Sequence, residues 1–145
     1  MTLPRMRLAY PVEIQARNGV AVATFPDLPG LSARAGSRRH AIDAARVALV
    51  AALHDYAREH RDMPRPSPAR LRDLVDLPLL IAAKVALYQT MRDQNISNVA
   101  LAERLNTVEG TVRRLVDLGH RSHVDQVEAA LRLLGKRFIV DLRVR

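Results

Sequence analysis

The segment from Asn98 to Leu115, NVALAERLNTVEGTVRRL, constrains this chain more than any other. It reads as two short helices joined by a tight turn. A small residue, Ala102, stands where the helices would cross. Asn106 follows four positions later and tolerates φ > 0, and Val112 and Leu115 then anchor the second helix. This is helix-turn-helix spacing, and the second helix of such a pair lies in the DNA major groove. The plain alternative is a helical bundle with an arginine-bearing outer face.

On a helical wheel Val108, Val112, Leu115 and Val116 gather on one side of the second helix, while Gly110, Arg114 and Asp117 point away. The candidate DNA-contacting residues are Asn98, Glu109, Gly110, Thr111, Arg113, Arg114, Arg121 and Ser122. Arg113 and Arg114 can reach guanine edges or phosphates, and Glu109 can accept from a cytosine amine. Gly110 permits close approach to the groove. Asn98 opens the first helix of the pair, near where such helices cross the backbone. Arg121 and Ser122 fall at the start of the next helix, where free N–H groups and the dipole favour a phosphate.

Net charge is +8, of which residues 1–62 carry +3, residues 63–76 carry +1 and residues 77–145 carry +4. The excess is spread, so charge alone does not mark one half as a polyanion binder. Of the 23 basic residues all but Lys84 and Lys136 are arginine, which an arginine-rich proteome would also produce. The absence of Cys removes thiol nucleophiles, disulfides and Cys-ligated zinc, and suits a reducing cytoplasm. No apolar run is long enough to span a bilayer, and the N-terminus lacks the apolar stretch of a signal peptide. Thr2 to Arg5 read as a short extension ahead of Met6, an alternative start.

The 145 residues suit two small domains, divided at the Pro-rich seam of residues 63–68. Residues 6–76 read as an α+β domain and residues 77–145 as a helical one. Leu8, Tyr10, Val12, Ile14 and Ala16 alternate as a strand, and Asn18-Gly19 is a strong hairpin turn into a return strand from Val20 to Phe25. A two-residue loop sets Ala16 against Ala21, Ile14 against Ala23 and Val12 against Phe25. Pro11 places this strand at an edge or a bulge. A third strand is expected at Leu31–Ala35, and a fourth within Leu71–Leu77. Between them Ser37 caps a helix to about Arg61, with Ala41, Ala45, Ala48, Leu49, Ala52 and Tyr56 as its apolar stripe. Its first turn carries Arg38, Arg39 and His40, which oppose the helix dipole.

In the second half Asp76 is expected to cap a helix to about Gln94, with Pro78 in its first turn, and Ser97 the next, to about Leu105. The recognition helix spans about Val108 to Leu118, ended by Gly119. Ser122 and Asp125 form a capping box for a last helix, which Gly135 stops. Phe138, Val140, Leu142 and Val144 then alternate as a strand, which needs a partner that a second copy of the chain could supply.

The acids of the first half, Glu13, Asp27, Asp43, Asp55 and Glu59, form no convergent set for two-metal chemistry. The five histidines show no zinc spacing, and no Gly-rich phosphate loop is present. No enzyme activity, metal or cofactor is expected.

Taken in order, the segments resemble the HicB-type antitoxin family. YPVEI and GVAVATFPDLPGL resemble its opening hairpin and turn, AIDAARVALVAAL its Ala-rich helix, and MPRPSP its post-helix segment. DLPLLIAAKVAL resembles the entry to its DNA-binding domain, and HRSHVDQVEAALRLLGKRFIV its ending. The resemblance implies a partial ribonuclease-H-like (RNase H-like) N-terminal domain of β-β-β-α(-β) order that binds a HicA-type toxin. It further implies a lambda-repressor-like helix-turn-helix domain that binds operator DNA, with homodimerisation expected through that half. Such toxins cleave mRNA, and the antitoxin blocks RNA access and represses its own operon. Candidate toxin contacts are Phe25, Asp27, Leu28, Arg38 and Arg39. Arg38 and Arg39 depart from the acids that relatives often carry there, and Asn106-Thr107 replaces a Gly-Val-like turn. Two other readings stay open: a stand-alone repressor whose N-terminal domain senses a ligand or oligomerises, and a nuclease.

Overall fold

The computed structural model describes residues 6–144. The extension expected at Thr2–Arg5 and the terminal Arg145 lie outside these residues. The chain divides into two compact units, Met1–Pro78 and Leu79–Arg145.

The first unit contains β1 (Ala9–Arg17), β2 (Val20–Thr24), β3 (Ser32–Ala35), α1 (Arg38–Arg58) and β4 (Asp73–Asp76). The strands form an antiparallel sheet in the order β3-β2-β1-β4. The hairpin turn adopts φ 52° at Asn18 and φ 75° at Gly19, the left-handed pair that suits the strand twist. It sets the expected register, Ala16 against Ala21 and Ile14 against Ala23. Val12 instead pairs with Asp73 on the other side of β1.

Pro11 therefore lies within a central strand, not an edge. Leu77 N–H donates to Leu8 C=O at 3.4 Å, so even-numbered residues here turn their polar groups toward β4. Pro11 is thereby aimed at the β2 side, beyond the end of β2, where its missing N–H breaks no ladder bond.

Ser37 caps α1, its side chain accepting from His40 N–H at 3.2 Å. The buried line of the helix is Ala41, Ala45, Leu49 and Leu53, so Leu53 belongs in the stripe and Ala48, Ala52 and Tyr56 flank it. Small residues on α1 and at Ala21 and Ala23 on β2 let helix and sheet approach closely, and Tyr10, Val12, Phe25 and Val75 fill the rest.

The second unit contains α2 (Leu79–Asp93), α3 (Asn98–Arg104), α4 (Glu109–Val116) and α5 (Val124–Leu133). Asp76 ends β4 instead of capping α2, which starts after Pro78. The core comprises Ala83, Leu87 and Met91 of α2, Leu101 and Ala102 of α3, Val112 and Leu115 of α4, and Val127, Ala130, Leu131 and Leu134 around α5.

Three helix ends in this unit use one device. Asn95 (φ 55°), Asn106 (φ 55°) and Gly135 (φ 79°) each take the left-handed conformation just past a helix. The next N–H then folds back to satisfy an orphan carbonyl: Ile96 to Met91, Thr107 to Ala102, and Lys136 to Leu131, all at 2.9 Å. In the first unit His60 ends α1 the same way at φ 55°.

One expected helix stop and one expected helix start are wrong. α4 ends at Val116 with Asp117 extended, and Gly119 lies beyond it, its N–H donating to Asp117 Oδ1 at 2.8 Å. α5 starts at Val124, so the Ser122–Asp125 capping box does not form. The segment after α5 is not a strand within this chain. Ile139, Val140, Leu142 and Val144 are exposed, and no neighbouring strand is available to pair with them among the described residues.

Candidate functional site

Chemistry-bearing residues concentrate at two irregular connections, one in each unit. In the first unit the loop of residues 64–72 is held by three side chains from the sheet and the turn beside it. The Tyr10 hydroxyl donates to Pro64 C=O at 2.7 Å. Asp27 accepts from the Ser67 N–H at 2.9 Å and from the Ser67 hydroxyl. Arg72 Nε donates to Glu13 Oε1 at 2.8 Å. Burial pushes the Tyr10 phenol well above its ordinary pKa, with Asp27 and Tyr56 adding to the shift, so Tyr10 is a donor throughout the physiological range.

The candidate toxin contacts therefore play different parts. Phe25 and Leu28 are each 3% exposed and belong to the core, so neither presents a surface as the sequence suggested. Their backbones form the turn, Leu28 N–H donating to Phe25 C=O at 3.2 Å. Asp27 is spent on Ser67. Arg38 is exposed but pairs with Asp73 at the start of β4. Arg39 is exposed at the start of α1.

In the second unit α3 and α4 pack together around the Asn106 turn, with Ala102, Val112 and Leu115 buried beneath. Val108 does not join them. It is the N-cap of α4 and is 68% exposed. The outer face carries Arg113 and Arg114. Glu109 holds Arg113 Nη1 at 3.3 Å and accepts from Asn98 Nδ2 at 3.4 Å, so Asn98, Glu109 and Arg113 form one linked group. Thr111 is half-buried, while Arg114 and Arg121 are exposed. A methyl added at Gly110 would meet only the Arg113 and Arg114 side-chain tips, at 3.5 and 3.6 Å. Nothing inside the unit thus requires glycine there.

Ser122 is drawn away from this face. Its hydroxyl lies 2.9 Å from the Nζ of Lys84, a residue sequence reasoning passed over. Lys84 is fully buried in α2, and its Nζ also donates to the carbonyls of Arg114 at 2.9 Å, Asp117 at 2.7 Å and His120 at 2.7 Å. These carbonyls belong to the end of α4 and the turn after it. The ammonium therefore gives a charged donor to carbonyls at the negative end of the α4 dipole. Burial pulls the Lys84 pKa below its ordinary value, and the Asp117 charge pushes partly back. The available signal was one charge within the apolar run LLIAAKVALY, where a lysine survives only if its protons find acceptors.

Among the described residues no group of three His, Cys, Asp or Glu could hold a metal, and no helix is long and apolar enough to cross a membrane.

A family model described as "HicB_like antitoxin of bacterial toxin-antitoxin system" matches residues 9–86, which takes in the sheet, α1, the clamped loop and the start of α2. The molecule is thus an antitoxin of a bacterial toxin–antitoxin system, and an antitoxin is not an enzyme. Within that class the chain belongs to the HicB-like family. It is 35% identical over 129 residues to antitoxin HicB 2 of Photorhabdus laumondii, covering 89% of this chain and 92% of the relative. Antitoxin HicB of Pseudomonas fluorescens is 33% identical over 139 residues, 92% of each chain. Antitoxin HicB of Escherichia coli is 30% identical over 131 residues, covering 89% of this chain and 95% of its own.

Proposed function

We propose that the chain neutralises a HicA-type, mRNA-cleaving toxin by blocking its access to RNA, and represses transcription of its own operon. The first unit, a partial RNase H-like domain, holds the toxin. The second, a lambda-repressor-like helix-turn-helix domain, binds operator DNA. The observation that carries the toxin reading is membership of the antitoxin family over nearly the whole chain. The DNA reading draws support from the α3–α4 pair, its left-handed Asn106 turn and the exposed Arg113 and Arg114. Gly110, which the unit's own packing does not need, leaves room for a phosphate backbone.

In this reading two copies associate through the second unit and contact half-sites about one helical turn apart. The exposed apolar residues Ile139, Leu142 and Val144 are the material for a shared sheet. The protein acts in the cytoplasm, where its toxin meets mRNA.

Co-purification with the protein encoded by the adjacent gene, then a growth-rescue assay, tests the toxin reading. Arg114→Ala should weaken operator binding and leave toxin neutralisation intact; simultaneous loss of both would undo the division of labour. Neutralisation by residues 77–145 alone would refute the role given to the first unit.

A further inference from the structure

The first unit contains two left-handed turns of similar backbone and opposite composition. The hairpin turn uses Asn18 and Gly19 at φ 52° and 75°. The turn from Ala69 to Arg72, closed by Arg72 N–H on Ala69 C=O at 3.0 Å, uses Arg70 and Leu71 at φ 47° and 69°. Asn and Gly are the residues such a turn favours, because a Cβ is strained there and Asn is among the few side chains that tolerate it. Arg and Leu are poor choices for the backbone they occupy.

They are also poor choices for burial. Leu71 is fully exposed, at 109% of its reference area. Neither turn geometry nor packing explains a leucine here. Left-handed strain in ordinary residues persists only where the surroundings dictate it. Here they do so from both sides: Asp27 fixes Ser67 ahead of the turn, and Glu13 fixes Arg72 behind it. Pro66 and Pro68 stiffen the approach. The loop is a rigid mount with Leu71 at its tip and Arg70 beside it.

We propose that Leu71 is an anchor for the toxin, entering an apolar pocket on the toxin surface while Arg70 meets an acidic rim. This rests on the reading of the first unit as the toxin-holding part. The turn lies inside the segment that matches the antitoxin family model, residues 9–86. An apolar anchor held in place before it enters a pocket loses little freedom when it docks.

The test uses the full chain and a catalytically inactive form of the toxin encoded beside it, with affinity measured by calorimetry and stability by thermal unfolding. Leu71→Asn should raise the unfolding midpoint of the free protein, because Asn suits the left-handed turn. It should also weaken toxin binding by about tenfold or more, the loss expected for an anchor. Leu71→Met should keep binding within about threefold, since it preserves apolar contact. Unchanged affinity for Leu71→Asn, or a lowered midpoint, overturns this inference alone. Failure of the unaltered chain to bind the toxin overturns the functional reading and this inference with it.

Discussion

The loop of residues 64–72 and the turn of residues 117–122 face the same problem and solve it differently. Each is irregular backbone whose polar groups find few partners of their own. In the second unit one buried ammonium, Lys84, gathers three carbonyls and a hydroxyl. In the first unit the work is divided among Tyr10 and Glu13 of β1 and Asp27 of the turn after β2. A single buried hub should fail all at once. Three separate clamps should fail one at a time. The device that sets α4 is therefore brittle, and the one that sets Leu71 is graded.

The largest expected effect is Lys84→Met. It removes a buried charged donor from three carbonyls, of which Arg114 and Asp117 keep a backbone N–H partner and His120 does not, and should cost the second unit about 2–4 kcal/mol. Denaturant unfolding measures this, and a loss below 1 kcal/mol would break the contrast between hub and clamps. Tyr10→Phe should cost about 1 kcal/mol, because one hydrogen bond is lost and its packing volume is kept. Asp27→Ala should cost about 0.5–1 kcal/mol and raise proteolysis within residues 64–72 above that of the unaltered chain. Glu13→Gln should be smallest, at about 0–0.5 kcal/mol and vanishing at high salt, because its pairing with Arg72 is partly solvent-exposed.

Alkaline titration sharpens the comparison through opposite signs. The folded-state pKa of Tyr10 is raised above its ordinary 10.0, so the folded chain keeps a proton that the unfolded chain releases. Its stabilising contribution is intact below pH 10 and is lost as pH rises beyond it. The folded-state pKa of Lys84 lies below its ordinary 10.5, so between the two values the unfolded chain holds the extra proton. Stability therefore rises with pH across that interval. The stability difference between the unaltered chain and Tyr10→Phe should shrink above pH 10, while that between the unaltered chain and Lys84→Met should grow up to pH 10.5. Parallel pH profiles for the two differences would refute the assigned causes.

Local chemistry made much of the fold legible. Asn18-Gly19 fixed a hairpin and its register because turn geometry and alternation agreed, and Ser37, Ser97, Asn106 and Gly135 marked helix ends as expected. Expectations failed where distant residues compete for the same groups. Ser122 and Asp125 have capping-box spacing, yet the Ser122 hydroxyl sits against Lys84, thirty-eight positions away. Gly119 has the composition of a helix stop, yet α4 has already ended at Val116, and Lys84 satisfies carbonyls there that a continuing helix would have used. Phe25, Asp27 and Leu28 read locally as a turn offering contact residues, yet the fold buries Phe25 and Leu28 and uses Asp27 as a clamp.

The sequence alone determined the periodicities, the turns with their own signals, the α+β composition and the family resemblance, because each depends on neighbours within a few residues or on motif order. Only the tertiary structure decided that Lys84 is a buried hub, that Pro11 sits harmlessly in a central strand, and that Leu71 is held out on a strained turn. Those facts depend on which distant groups compete for one proton, one carbonyl or one patch of solvent, and no local spacing encodes that competition.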